Sequence, residues 1–392
     1  MATVYLCIGT QKTGTTFLQE FMRRNEKALK KQGYCYPKFE LGINGMKNRN
    51  AYFLVHHSKL GNKEACQKEE AEFKRIAYSK IKELSKEFPN IVLSDENIWY
   101  GCKRKGFWTE VLDEFHNIGC EVKVIVYLRR QDQVIESLWK QRLKGMACDT
   151  FSFSEFCERG SGWFPLDYFQ HCTNIAEAVG RENLTVRIYE RGQFEGAEQS
   201  LLSDYLQTIN VELTKDFDRG KTGANYSLNG NFIEMKRIMN GVPRYKQMHN
   251  FMRGPIVAAS VHQEQMEPLE KTSVFSYEDL VKFMSRFDES NRKVAVEFLG
   301  REEGVLFREP LKELPVWEVK QETMYRDMMV FMTEMFCEQQ KQIEMLTQKL
   351  NDLSKNVNSV NGEMKNTQKE LKSINSSLIL RGYRKVKNAI KK

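Results

Sequence analysis

No run of about 18 or more apolar residues occurs anywhere in the chain, so no hydrophobic helix long enough to span a bilayer is expected. The first ten residues, Met1 to Thr10, carry no basic stretch ahead of their short apolar run, and they do not read as a secretion signal. The nine cysteines include no C-x-x-C pair. Scattered thiols in odd number, in a chain of this size, predict reduced cysteines in a cytoplasm and no structural zinc. No acidic or histidine cluster points to a required metal. Proline is scarce, at eight residues, and none follows Pro315. Charge is not extreme either. A net charge of +8 suits an anionic ligand such as a nucleotide, and no nucleic-acid partner is expected.

What is present is enough for a sizeable core: 392 residues, 41 % of them apolar, fit one large α/β domain or two smaller ones. Val4 to Ile8 is a short apolar run without polar alternation, the mark of a strand buried on both faces. A turn rich in glycine and threonine follows. Phe17, Leu18, Phe21, Met22, Ala28 and Leu29 then recur at helical spacing, predicting a helix to about Lys31, before Gly33. Residues 35–61 read as loop and hold Lys47, Arg49, His56 and His57. A charged helix is predicted over Lys63–Glu87, then a strand at Ile91–Leu93 ending in Ser94-Asp95-Glu96. Next come a helix over Trp108–Asn117, a central strand at Val122–Leu128, a helix over Asp132–Leu143 and a strand at Leu184–Tyr189. Residues 195–315 read as mixed and mostly helical. Strands alternating with helices predict an α/β fold with a P-loop-type parallel sheet flanked by helices.

Beyond Pro315 the pattern changes. Ile343, Leu346, Leu350, Leu353, Val357, Val360, Met364, Thr367, Leu371, Ile374 and Leu378 fall at alternating steps of three and four. This is a heptad seam about five heptads long, and it predicts a coiled-coil helix that joins copies of the chain. The expected organisation is therefore a catalytic domain over 1–315, a helical segment over 316–380 and a basic tail over 381–392. In the tail, Val386 and Ile390 share a helix face among basic residues. It either rests on anionic lipid heads or is a frayed soluble end.

The chemistry concentrates in the glycine turn, Gly9-Thr10-Gln11-Lys12-Thr13-Gly14-Thr15-Thr16. A loop between a buried strand and a helix N-terminus presents backbone N–H groups and the positive end of a helix dipole, and phosphate is its natural guest. The spacing from Gly9 to Gly14 is that of a Walker A loop. However, Thr15 stands where that motif has lysine, and the lysine sits inside the loop at Lys12. A lysine there can stabilise charge building on a leaving phosphate. Downstream, Arg129 ends the predicted central strand, and Ser137 follows it eight residues later.

Ile8-Gly9-Thr10-Gln11-Lys12-Thr13-Gly14-Thr15-Thr16-Phe17-Leu18 resembles the 5′-phosphosulfate loop of PAPS-dependent sulfotransferases, with Gln11, Thr13 and Phe17 replacing the usual proline, serine and tryptophan. The run from Val124 to Ser137 resembles that family's 3′-phosphate motif, with Arg129-Arg130-Gln131 in place of R-D-P. The resemblance is nearest to bacterial capsular and surface-polysaccharide sulfotransferases. It implies sulfuryl transfer from PAPS, with PAP as product and no required metal, to a hydroxyl or amine of a carbohydrate. It implies a donor site of Thr10, Gln11, Lys12, Thr13, Gly14, Thr15, Thr16, Arg129 and Ser137, with Lys12 also catalytic. Lys221–Ser227 resembles the stretch that closes over the nucleotide, which adds Asn225 and Ser227. Glu96 is the favoured general base, in a run similar to the family's S-S-E segment; Asp95, His56 and His57 are alternatives. A small-metabolite P-loop kinase and a non-catalytic nucleotide-binding scaffold are the competing functions. The expected setting is cytoplasmic, at most peripheral at the inner face of the membrane.

Overall fold

The computed structural model describes residues 1–39, 48–58, 62–145, 147–160, 164–220, 228–243, 245–267 and 270–390. They form two compact units, Met1–His249 with Glu267–Lys320, and Asn250–Met266 with Gln321–Lys392.

The first unit is built on five strands: β1 (Ala2–Gly9), β2 (Tyr34–Cys35), β3 (Asn90–Ser94), β4 (Cys120–Leu128) and β5 (Leu184–Ile188). All pair in parallel, in the order β2-β3-β1-β4-β5. The β1 run without alternation lies at the centre, where both faces are covered, and Val4, Leu6 and Ile8 are fully buried. The helices are α1 (Thr15–Arg24), α2 (Glu26–Lys31), α3 (Lys63–Leu84), α4 (Ile98–Gly101), α5 (Phe107–Asn117), α6 (Gln131–Lys144), α7 (Phe153–Gly160), α8 (Tyr168–Val179), α9 (Leu201–Thr208), α10 (Asn231–Asn240), α11 (Tyr245–Met266), α12 (Tyr277–Ser285), α13 (Asp288–Lys293) and α14 (Gln321–Ile390).

The sheet's two faces carry different connections. Tyr5, Cys7, Val92, Ile125 and Tyr127 cluster with Leu18, Phe21 and Met22 of α1, Leu29 of α2, and Leu202, Tyr205 and Leu206 of α9. The alternate strand residues point the other way, where α5 and α8 lie against β4. The chain thus leaves β1 towards one face, whereas it leaves the neighbouring β3 and β4 towards the other. Such a switch opens a crevice at the strands' carboxyl ends, the usual ligand position in open α/β sheets.

Two expectations are corrected. The helix predicted to run unbroken to Lys31 is two, α1 and α2, separated at Asn25. The Asn25 side chain donates to the Phe21 carbonyl (3.0 Å) and the Asp218 carbonyl (2.8 Å) and accepts from the Asp218 N–H (2.7 Å), an attachment to a distant segment that competes with helix continuation. The stretch read as loop from Cys35 contributes to a two-residue edge strand, Tyr34–Cys35. Elsewhere β1, β3 and β4 start one to two residues before the predicted positions, β5 starts at Leu184 as predicted and ends one residue earlier, at Ile188, and α3 stops at Leu84, short of Glu87, before Pro89.

The second unit holds the later part of α11 and the 70-residue α14. His262 and Glu334 link the two helices (3.1 Å). From Ile343 to Leu378 the apolar seam residues are all exposed. The helix continues without interruption past residue 380 to Ile390, through the stretch predicted as a separate tail.

Candidate anion-binding site

The loop after β1 has a backbone that its glycines make possible. Gly9 has φ 103° and Gly14 φ 74°, a region that side chains disfavour. Space is tight as well: a Cβ on Gly9 would lie 3.1 Å from Glu96 Cα, and one on Gly14 would lie 2.4 Å from Leu201 Cδ2, which would have to move. The loop is fastened from within and from below. Thr13 Oγ1 donates to the Thr10 carbonyl (2.6 Å), and Thr10 N–H donates to the Tyr127 carbonyl on β4 (2.8 Å). Gln11 Nε2 donates to Asn97 Oδ1 (2.9 Å). Thr13 and Gln11 are thus engaged in holding the loop's shape. Thr10 is fully buried, and its hydroxyl has no partner among the described residues. The α1 helix begins at Thr15 with no side-chain cap, so its first N–H groups remain available, together with the hydroxyls of half-buried Thr15 and exposed Thr16. A small cavity under the loop is lined by Thr13, Thr15, Gln19, Ser94, Tyr36 and Cys7, among others.

Arg129 stands at the end of β4. Its Nη1 donates to the Lys12 carbonyl (2.8 Å), its Nε donates to Gln133 Oε1 (3.0 Å), and its guanidinium lies over the Tyr189 ring at 5.5 Å. Two of its five N–H donors are thereby used. Its own carbonyl accepts from Tyr168 Oη (2.5 Å). Arg130 points elsewhere. It pairs with Asp132 (2.8 Å) and donates to the carbonyls of Glu309 and Pro310. The two adjacent arginines therefore have different duties: Arg129 faces the glycine loop, and Arg130 ties down residues 309–310. Ser137 lies one turn beyond Gln133 on the same side of α6; it is half-buried, and its hydroxyl has no hydrogen-bond partner among the described residues.

The electrostatic balance of this edge is uneven. Among the described residues neither Lys12 nor Arg129 has a carboxylate within 4.0 Å, whereas Arg130 and Arg49 both do. Lys12 has φ 69°, and its ammonium is pushed below the ordinary lysine range, first by burial and then by the Arg129 charge, with Glu96 opposing both. Burial likewise lowers Arg129, although a guanidinium keeps its proton. Two desolvated cations beside open helix N–H groups make a candidate site for an anion.

The carboxylates after β3 divide in a comparable way. Asp95 is fully buried and grips Arg49 with both oxygens (2.6 and 3.0 Å), and it also accepts from the Asn97 N–H (2.8 Å). Burial outweighs Arg49's attraction and lifts its pKa to about 6. Glu96 is partly exposed. It accepts from Gln19 Nε2 (3.2 Å), and Arg49 Nε stands 3.9 Å away. Of the alternatives for a base, Asp95 is committed to Arg49. His56 is held by Tyr52 (2.7 Å) and Glu69 of α3 (3.3 Å), and exposed His57 faces Glu70 of α3 at 4.0 Å. Glu96 lies against the loop that carries Lys12: a Cβ on Gly9 would stand 3.1 Å from Glu96 Cα, and the Glu96 charge acts on the Lys12 ammonium. Asn225 and Ser227 lie outside the described residues.

Gln19 and Arg49 are members of this site to which the sequence assigned no role. Gln19 falls one turn after Thr15 and Thr16, on a face otherwise read as core, where its amide spans Ser94 Oγ (3.1 Å) and Glu96. Arg49 sits in a loop whose return to the sheet no local pattern announces.

Asp95 yields a pH signature. A folded-state pKa of about 6 against about 4 in the unfolded chain means that the folded protein binds the extra proton between those values. The contribution of this group to stability therefore falls as pH rises from about 4 to 6 and is flat above. Denaturant titrations across that range should show the slope in wild type and its loss in Asp95→Asn.

No protein-family model matches the chain, and no solved structure matches it. It is similar to an uncharacterized protein of Archaeoglobus fulgidus, 28 % identical over 182 residues, which cover 45 % of this chain and 46 % of that protein. The match thus spans less than half the length of that relative.

Proposed function

We propose that the chain transfers a sulfuryl group from PAPS to a hydroxyl or amine of a carbohydrate acceptor. The observation that carries the proposal is the pair of cations, Lys12 and Arg129, joined through the Lys12 carbonyl and lacking carboxylate partners among the described residues. A donor with phosphate at both its 5′ and 3′ ends matches a site with cations at two strand ends. Loop N–H groups, the α1 N-terminus and the hydroxyls of Thr15 and Thr16 would hold the 5′-phosphosulfate. The free N–H groups of Arg129, with Ser137 one turn along α6, would hold the 3′-phosphate. The position of Lys12 inside the loop separates this reading from a kinase, whose lysine follows the second glycine.

The reaction is a single in-line displacement. The acceptor oxygen or nitrogen forms a bond to sulfur, its proton passes to Glu96, and the bond from sulfur to the phosphate oxygen breaks to release PAP. Lys12 stabilises the negative charge that develops on that oxygen. Gln19 orients the Glu96 carboxylate through its Nε2 donor, and the Arg49 guanidinium, bonded to Asp95, stands 3.9 Å from it. Positioning of donor and acceptor supplies much of the remaining acceleration.

The seam on α14 supports a second part of the proposal, a homo-oligomer. Its apolar side chains are exposed along the described chain, and knobs-into-holes packing between copies would cover them.

Two outcomes follow. Transfer of labelled sulfur from PAPS to polysaccharide should fall roughly a hundred- to thousandfold in Lys12→Ala and about as steeply in Glu96→Gln; unchanged turnover in Lys12→Ala contradicts the proposal. In light scattering, wild type should exceed the 46.0 kDa of one chain, and a double substitution, Leu350→Asp with Leu353→Asp, should return it to that mass.

A further inference from the structure

The apolar side chains of α14 do not stay on one face. The seam runs in steps of three and four to Leu371, Ile374 and Leu378; continued in frame, it would next use positions 381 and 385, which are Arg381 and Lys385. Charged residues at both core positions stop a coiled-coil seam. The helix itself does not stop, and it remains regular to Ile390. A new stripe begins instead at Ile379 and continues through Tyr383, Val386 and Ile390, again in steps of four, three and four. At about 100° per residue this stripe lies on the side of the helix away from the seam. Its four side chains are among the most exposed large apolar groups of the protein, from 59 % at Val386 to 80 % at Ile390.

The other face of the same segment is basic. Arg381, Arg384 and Lys385 lie opposite the stripe, and Lys387 flanks it. Between Ile379 and Ile390 there is no acidic residue. Two further lysines, Lys391 and Lys392, follow in the sequence. Long basic side chains flanking an apolar stripe can lay their stems along a membrane surface and extend their charges to the headgroups. A second copy of the chain fits poorly here. Arg381 and Lys385 would meet their own counterparts across a continued seam, and a stripe on the far side of the helix cannot be covered by the partner that covers the first.

We infer that Ile379–Ile390 is a docking segment for an anionic lipid bilayer, lying in the plane of the interface with Ile379, Tyr383, Val386 and Ile390 inserted among the headgroups. The seam and the stripe then serve different partners from one helix. A paired seam would bring two docking segments together, and the second would bind at a high effective concentration. This inference does not depend on the reaction that the first unit performs.

Flotation of the full chain with vesicles tests it. The protein should float with phosphatidylglycerol–phosphatidylcholine vesicles, stay behind with phosphatidylcholine alone, and be released by added salt. Replacing Arg384, Lys385 and Lys387 by glutamine should lower partitioning roughly a hundredfold, since each basic residue near an anionic surface contributes about a factor of five. A double substitution, Val386→Asp with Ile390→Asp, should abolish flotation and leave the mass in solution unchanged. Equal flotation on neutral and anionic vesicles, or none on either, overturns the inference. A fall in solution mass in the double variant also overturns it, because the stripe would then be buried against another copy.

Discussion

The hydrogen bond from Arg129 to the carbonyl of Lys12 joins the two halves of the candidate site. It runs from the end of β4 to the middle of the loop that follows β1. The two strands are neighbours at the centre of the sheet, so their ends are fixed by the same ladder that forms the core. The bond occupies only part of the guanidinium, and it holds Lys12 close to a second positive charge. In a folded protein such a pair is unfavourable unless an anion joins it or a carboxylate neutralises it. The nearest carboxylate with any influence on Lys12, Glu96, is held instead by Gln19 and Arg49. The site's excess positive charge is therefore built into the framework.

Further layers of the structure preserve this imbalance. Arg130, the residue most able to compete with Arg129, is neutralised by Asp132 and anchored to the carbonyls of residues 309 and 310. Asp95, the carboxylate best placed by burial to neutralise a cation at the sheet edge, is taken up by Arg49. Gly9 lets the loop approach Glu96 closely, and Gly14 makes room for Leu201 of α9, which packs beside the core under β1. These contacts link the shape of the loop to the packing of α1 and α9 on one face of the sheet. The helices on the other face, through Tyr168 of α8, hold the carbonyl of Arg129. Both faces thus converge on one residue.

Much of this was legible in the sequence because it is local. The unalternating apolar run at Val4–Ile8, the glycine spacing and the in-loop lysine identified strand, loop and helix directly, and the position of Arg129 at a strand end placed it on the same edge. The break at Asn25 was not legible, because its cause is Asp218, nearly two hundred residues away. The same holds for Arg49 and Gln19. A lone arginine in a loop and a glutamine in an amphipathic helix acquire their role only when β3 comes alongside β1. The choice between Asp95 and Glu96 likewise required burial: adjacent carboxylates look alike in sequence, yet one is enclosed with Arg49 and the other reaches the open edge. In α14 the heptad spacing was plain, whereas the change of face at Ile379 emerges only once the helix is seen to continue.

The loop and the two cations are proposed to hold a nucleotide with a terminal 3′-phosphate. Calorimetric titration with PAP, set against ATP with magnesium, tests it most directly on wild type and on Arg129→Ala. PAP should bind wild type, Arg129→Ala should lose this binding, and ATP with magnesium should not replace it. Tight binding of ATP with magnesium together with no binding of PAP would overturn this proposal and make the chain a nucleoside-triphosphate enzyme instead.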